Sequence, residues 1–191
     1  MKHLFFALIL GLTPVCSLAA REAQTTPPET TVGNRQLILN GKAVRTVWGF
    51  PVYEVGLFLG APKRDADAIM NGDRGPKRVR MHMLRAVEKE KFVVTVRESI
   101  DRNLSAEEKQ TYAAELADYI GHLEKGGDIE PGRIITIDYV PGQGTLLGLD
   151  GKEVGRIPGD EFYHLMLRLW IGRPLQASIK DGLLGAASSG D

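Results

Sequence analysis

Cysteine is almost missing from this chain: Cys16 is the only one in 191 residues. No intramolecular disulfide can form, so a folded domain must rest on its own core. An excess of one charge is missing too. Lysine plus arginine and aspartate plus glutamate both number 24. Nucleic-acid binders usually carry a basic excess, so no nucleic-acid partner is expected. Apolar runs of membrane-spanning length are also absent. Leu4 to Leu12 is apolar, but it falls far short of the roughly 20 residues that cross a bilayer. There is no P-loop, no G-x-G-x-x-G and no G-x-S-x-G elbow, which removes the common phosphate-cradling and hydrolase signatures.

What is present begins with a short basic start, Lys2 and His3, followed by the apolar run and by Ser17-Leu18-Ala19. This order is that of a secretory signal peptide cleaved after Ala19 or Ala20. Thr13, Pro14 and Val15 before Cys16 do not form a lipobox. The expected division is a signal peptide over 1–19, a flexible leader over 20–34, one domain over 35–185 and a loose tail over 186–191. The leader is polar, with Thr-Thr-Pro-Pro-Glu-Thr-Thr at its centre, and can bury little. Without the signal the chain keeps about 170 residues, enough for one domain that buries roughly two-thirds of its surface. Its expected location is periplasmic or secreted, with no stable membrane span once the signal is removed.

Within the domain, Gln36 to Leu39 reads as a strand, Asn40-Gly41 as a two-residue hairpin turn, and Ala43 to Val47 as the return. Val52 to Leu59 forms a longer strand. Asp65 to Met70 suggests a short helix. Arg78 to Leu84 alternates Val79, Met81 and Met83 with Arg78, Arg80 and His82, the pattern of a strand with one face in water. Glu88 to Asn103 is helical by the spacing of Phe92, Val93, Val96 and Ile100. Ser105 and Glu108 form a capping box for a helix running to about Leu123. Ile134 to Val140, Thr145 to Leu149 and Glu153 to Ile157 form a meander turned by Pro141 to Gly144 and by Asp150-Gly151. Asp160 to Ile171 is an amphipathic helix with an acidic first turn, and Ser178 to Leu184 closes the domain. Strands in sequence-adjacent groups imply an α+β fold with a mainly antiparallel sheet.

Few residues carry chemistry. In "RTVWGFPVYEVGLFLG", from Arg45 to Gly60, both faces of the strand are largely apolar, so both are covered. Tyr53 shares a face with Val55, Leu57 and Leu59. A buried hydroxyl without a partner costs on the order of 1–3 kcal/mol. Two readings stand. Arg45 and Tyr53 form a pair that holds a carboxylate or enolate, or Arg45 is at the surface and Tyr53 bonds to backbone in the core. His82 is expected to be exposed. His122 and His164 have no second ligand at metal spacing, so no metal and no cofactor is expected. Asp138 and Tyr139 are read as shaping the turn after them, Trp170 as core, and Arg97 and Glu98 as solvated.

Three stretches together resemble the chalcone isomerase-like superfamily, in a bacterial, exported form: "LNGKAVRTVWGFPVYEVGLFLG", "VRMHMLRAVEKEKFVVTVRESI" and "GRIITIDYVPGQGTLLGLDGKEVGRIPGDEFYHLMLRLWIGRPLQASIKDGLLG". The likeness runs from about Gln36 to Gly185. It implies an open-faced β-sandwich, a large antiparallel sheet covered by a layer of helices. Plant chalcone isomerases in this superfamily close a chalcone to a flavanone, with an arginine that stabilises the developing anion. Related plant proteins bind fatty acids, holding the carboxylate with an arginine and a tyrosine. Arg45 matches the arginine of both groups. Tyr53 falls where the isomerases have threonine and the fatty-acid binders tyrosine. The isomerases' helix motif QYSEKVTEN aligns with "KFVVTVRES", which places Phe92 at its tyrosine and Ser99 at its asparagine. Leu169 falls at a polar specificity residue of the isomerases.

The resemblance therefore implies three functions to be told apart. One is an exported, non-catalytic domain that binds an amphipathic carboxylate such as a fatty acid, with Arg45 and Tyr53 at the head group and Phe92, Val96, Ser99 and Leu169 along the pocket. Another is a weak isomerase or intramolecular lyase for an enone or phenolic substrate, with Arg45 as electrophile. Phenylalanine at the tyrosine position argues against it, since it can neither donate to a ketone nor order a water. The last is a structural or partner-binding envelope protein whose cleft is closed. The expected partner is a small amphipathic or anionic ligand, and the oligomeric state is left open.

Overall fold

The structure, a computed structural model, describes residues 26–185. The stretch expected to be a signal peptide, with Cys16, the first part of the expected leader and the expected tail lie outside the described residues. Seven strands form one antiparallel sheet in chain order: β1 (Glu29–Val32), β2 (Arg35–Val47), β3 (Phe50–Leu59), β4 (Lys77–Met83), β5 (Ile134–Val140), β6 (Gly144–Leu149) and β7 (Lys152–Ile157). Between β4 and β5 run α1 (Lys89–Asn103), α2 (Ala106–Thr111) and α3 (Ala113–Lys125). After β7 come α4 (Asp160–Ile171) and α5 (Ala177–Leu183). The fold is α+β, a curled sheet with a helical layer on its inner face. A short π-helical turn, Ala68–Gly72, stands where Asp65 to Met70 reads as a helix.

The inner face carries the main core. Val55, Leu57 and Leu59 from β3, Val79, Met81 and Met83 from β4, and Val93 and Ile100 from α1 are all buried there. Each fully buried side chain of this size contributes roughly 1.5–3 kcal/mol. The sequence pattern of α4 reads as amphipathic, but the helix is buried almost all round, from Phe162 to Leu167 and again at Leu169 and Ile171. It lies between the sheet, α1 and α5, so it has no broad solvent face. The Ser105–Glu108 capping box forms in both directions. The helix it starts breaks at Tyr112 (φ −104°, ψ 27°), where the ring packs on Phe162, centroids 6.5 Å apart.

Two expectations about β2 are overturned. Asn40-Gly41 is not a turn. It is a β-bulge inside one 13-residue strand, with Asn40 as the extra residue between the Leu39–Phe58 and Gly41–Leu57 pairs. Asn40 is held from both sides: its amide nitrogen donates to the Lys63 and Leu183 carbonyls, and its oxygen accepts from the Lys63 N–H. Gly41 is glycine because α5 passes over it. A Cβ there would lie 2.1 Å from the Gly182 carbonyl oxygen. The hairpin is at Trp48-Gly49 instead, a two-residue loop with both φ values positive, 54° and 79°, the type I′ pattern.

The leader expected over 20–34 also contains structure. Glu29–Val32 pairs with β2 and turns into it at Gly33-Asn34. The β1 end of the sheet folds back over the outer face of β3 to β5. Val32, Leu37 and Phe58 form a small second core there, with Val140 against it. This cover corrects the reading of β4. Arg80 and His82 are 7% and 8% exposed rather than facing water. Asp138 and Tyr139 lie inside β5, buried, and do not shape the turn.

Candidate functional site

The site forms where the inner face of the sheet and the helical layer fail to close on each other. Arg45 and Tyr53 are directly opposite in the β2–β3 ladder, so their side chains share one face. A second bulge, with Val52 as the extra residue, lies just beyond them toward the hairpin. Both look into a cavity of about 660 Å³, within the roughly 300–1,000 Å³ of small-molecule sites. Phe92, Val96 and Ser99 of α1 and Leu169 of α4 line it as well. All six candidate residues therefore meet at one cavity.

Arg45 is half-buried and fixed by neutral groups. Its Nη1 donates to the Thr46 carbonyl at 2.9 Å and to Gln176 Oε1 at 3.1 Å. Gln176, just before α5, also accepts from the Thr46 N–H and donates to the Val44 carbonyl and Ser178 Oγ. The glutamine clamps the end of β2 and sets the guanidinium direction. Among the described residues no carboxylate lies within ion-pair distance of Arg45. Arginine stays charged throughout the physiological range, so this is a cation without an acid beside an apolar space. Neither the exposed-arginine reading nor a fully closed cleft describes it.

Burial pushes the Tyr53 hydroxyl up to about 12, with Arg45 pulling the other way. Tyr53 is thus a protonated donor at neutral pH. Its ring packs edge-on against Trp170, centroids 6.2 Å apart at 76°. Trp170 is partly buried and packs against the core, as expected, and it also lines the cavity. Tyr119 lines the cavity too, and burial raises its hydroxyl further still, with Tyr53 adding to the rise.

The other polar groups of α1 are already engaged. Ser99 Oγ donates to the Thr95 carbonyl at 3.0 Å, and Thr95 Oγ1 to the Lys91 carbonyl at 2.8 Å. Arg97 points away and pairs with Glu124 in solvent. Ser99 is therefore part of the wall without offering its proton inward. Among the described residues no three histidine, cysteine or acidic side chains gather as a metal site. No described helix is long and apolar enough to cross a membrane.

Reading the sequence missed several lining residues. Tyr119, His122 and Leu123 of α3 and its C-cap Gly126 all line the cavity. Their spacing of three, four and seven is one helix face, a signal that was available. Arg85 and Trp48 rim the cavity from loops, and Phe50 from the first position of β3. No periodicity marks those positions.

The comparisons with known proteins agree with this fold. A fatty-acid-binding protein of Arabidopsis thaliana is similar in structure, with a TM-score of 0.59 and 15% identity, over 83% of this chain and 90% of that one. At that identity the likeness speaks for the fold. Among curated proteins no sequence matches. The family model described as chalcone isomerase-like matches residues 20–185, so this chain belongs to the chalcone isomerase-like family.

Proposed function

We propose that this protein is an exported, non-catalytic binding module for an amphipathic carboxylate of the fatty-acid class. The carboxylate pairs with Arg45 and accepts from the Tyr53 hydroxyl. The acyl chain lies along Phe92, Val96 and Leu169. The observation that carries this reading is a guanidinium fixed in the wall of an apolar cavity with no described acid beside it. A charged group in such a place is stabilised by an opposite charge, and a bidentate carboxylate suits guanidinium geometry. The structural likeness to a protein named for fatty-acid binding adds support. The signal-like first 19 residues support export.

The isomerase reading gains nothing from α1, where the family's helix motif falls. Phe92 offers no donor, and the nearby Thr95 and Ser99 hydroxyls donate to their own helix.

Native mass spectrometry of the protein purified gently from its own cells tests the reading, beside Arg45→Ala. A co-purifying fatty acid in the wild type that is absent from Arg45→Ala is the expected result. A wild type that arrives empty and stays empty when fatty acids are added overturns the proposal.

A further inference from the structure

The hairpin between β2 and β3 ends in an arrangement that ligand holding does not explain. Trp48, at its apex, is 94% exposed. It takes a positive φ of 54°, a conformation that is sterically costly for a residue with a Cβ and that turns of this type usually give to asparagine, aspartate or glycine. Costly backbone that persists on a surface points to function. Val47 and Phe50 flank the apex and are also exposed, as is Leu84 at the adjacent end of β4. Leu84 is tied to β3 through its N–H and the Val52 carbonyl. The Arg85 guanidinium lies over the Phe50 ring, 4.5 Å from its centroid. Together they make one apolar projection with a cation on its shoulder.

The charge around it is one-sided. Lining the cavity that this hairpin rims are the cations Arg45, Arg85 and Lys91 and a single acid, Glu88. Glu88 is already paired with Lys91 at 3.0 Å. The whole chain is electrically balanced, so this excess is local. A convex tip cannot be covered by a flat rigid partner, whereas a lipid interface deforms around it. Indole rings settle at the headgroup level of bilayers, and a guanidinium beside them meets lipid phosphates.

We infer that the Trp48 hairpin docks on an anionic lipid bilayer, with Trp48 and Phe50 in the headgroup region and Arg85 against the phosphates. Docked this way, the cavity rim faces the membrane, and an apolar ligand passes between bilayer and cavity without crossing water. The docking rests on the tip and the charges at its rim, and stands whether or not the cavity holds a carboxylate.

The experiment is co-sedimentation of the purified protein with vesicles of phosphatidylglycerol and phosphatidylethanolamine, and with phosphatidylcholine alone. It is repeated for Trp48→Ala and Arg85→Glu, both at exposed positions, with circular dichroism as the fold control. The wild type should bind anionic vesicles, weaken with salt and bind neutral vesicles poorly. Trp48→Ala and Arg85→Glu should each weaken anionic binding by about tenfold. Brominated lipids should quench wild-type tryptophan emission and leave that of Trp48→Ala nearly unchanged. No vesicle binding, equal binding to neutral vesicles, or binding indifferent to both substitutions overturns the inference. So does a lipid-free dimer that Trp48→Ala dissociates, since the tip would then meet a second copy of the chain. Vesicle binding with an empty cavity would sink the ligand reading and leave this one intact.

Discussion

The two faces of the sheet treat arginine in opposite ways. On the outer face, Arg78 is gripped by Asp138 through two bonds of 2.7 and 2.6 Å, and also donates to Thr30. Arg80 donates to Thr26, which in turn donates to Glu54. Both of these guanidiniums meet an acid, directly or through a hydroxyl. On the inner face, Arg45 has two neutral acceptors and a cavity before it. The first arrangement closes a structure, and the second leaves a charge available. A cation whose partners are all internal holds the fold. One whose internal partners leave its charge unbalanced is placed for something that arrives from outside.

Truncating aromatics on the two faces should break this comparison most visibly. Phe58 is fully buried in the small outer core. Phe58→Ala removes its contacts and leaves a void, at a cost of about 4 kcal/mol. Phe92 already borders empty space, so Phe92→Ala should cost only about 1 kcal/mol, since little packing is lost. Urea unfolding of both variants measures the contrast. Equal losses would mean that the cavity wall is as tightly supported as the outer core, and that the space is not a standing feature.

The arginines sharpen the same point at smaller scale. Asp138→Ala leaves Arg78 partly buried with its acid gone, a change expected to cost about 2–3 kcal/mol. Arg45→Ala removes a charge that no described acid balances, so stability should change by less than about 1 kcal/mol. The loss for that variant should appear in ligand retention. An Arg45→Ala protein as destabilised as Asp138→Ala would make Arg45 a structural residue and undo the distinction between the faces.

The inner face was more legible in sequence than the outer one, and the reason is physical. Strand alternation places Tyr53 with Val55 and Leu57 by local geometry alone, and the opposition of Arg45 needs only the neighbouring strand. The capping box at Ser105 and the Asp150-Gly151 turn are likewise local, and both form as expected. The outer face depends on residues far apart in the chain. Arg78, Arg80 and His82 read as a wet face because nothing within β4 announces that Thr26 and Thr30 will lie across them. The same distance effect displaces the first hairpin. Asn40-Gly41 has the chemistry of a turn, yet α5, more than a hundred residues later, needs that glycine for its close approach. The cavity rim at Trp48 and Arg85 has no period at all, so only the assembled fold reveals it.

Protons offer the finest test of the contrast, because the two faces titrate at opposite ends of the pH scale. Burial lowers the His82 pKa on the outer face, Arg80 lowers it further, and Glu54 partly opposes both. The unfolded chain takes up that proton near pH 6.5, while the folded chain stays neutral to lower pH. The stability contributed by neutral His82 is therefore complete above about pH 6.5 and is lost as pH falls through the folded value. Tyr53 on the inner face has the reverse shape. Its hydroxyl is raised to about 12, so its contribution is complete below about pH 10 and is lost as pH rises from there through about 12. Unfolding free energies of the wild type and His82→Gln compared between pH 5 and 7 read His82 by difference, because the buried Asp138 carboxyl, raised by burial, and Lys77, lowered to about 8, titrate in both proteins. His82→Gln should flatten that acid slope in part. His164, buried among Tyr139 and Tyr163 and lowered in the same direction by burial, keeps the remainder. A slope unchanged by His82→Gln would mean that water reaches β4 after all, and that the cover formed by the β1 end of the sheet opens in solution.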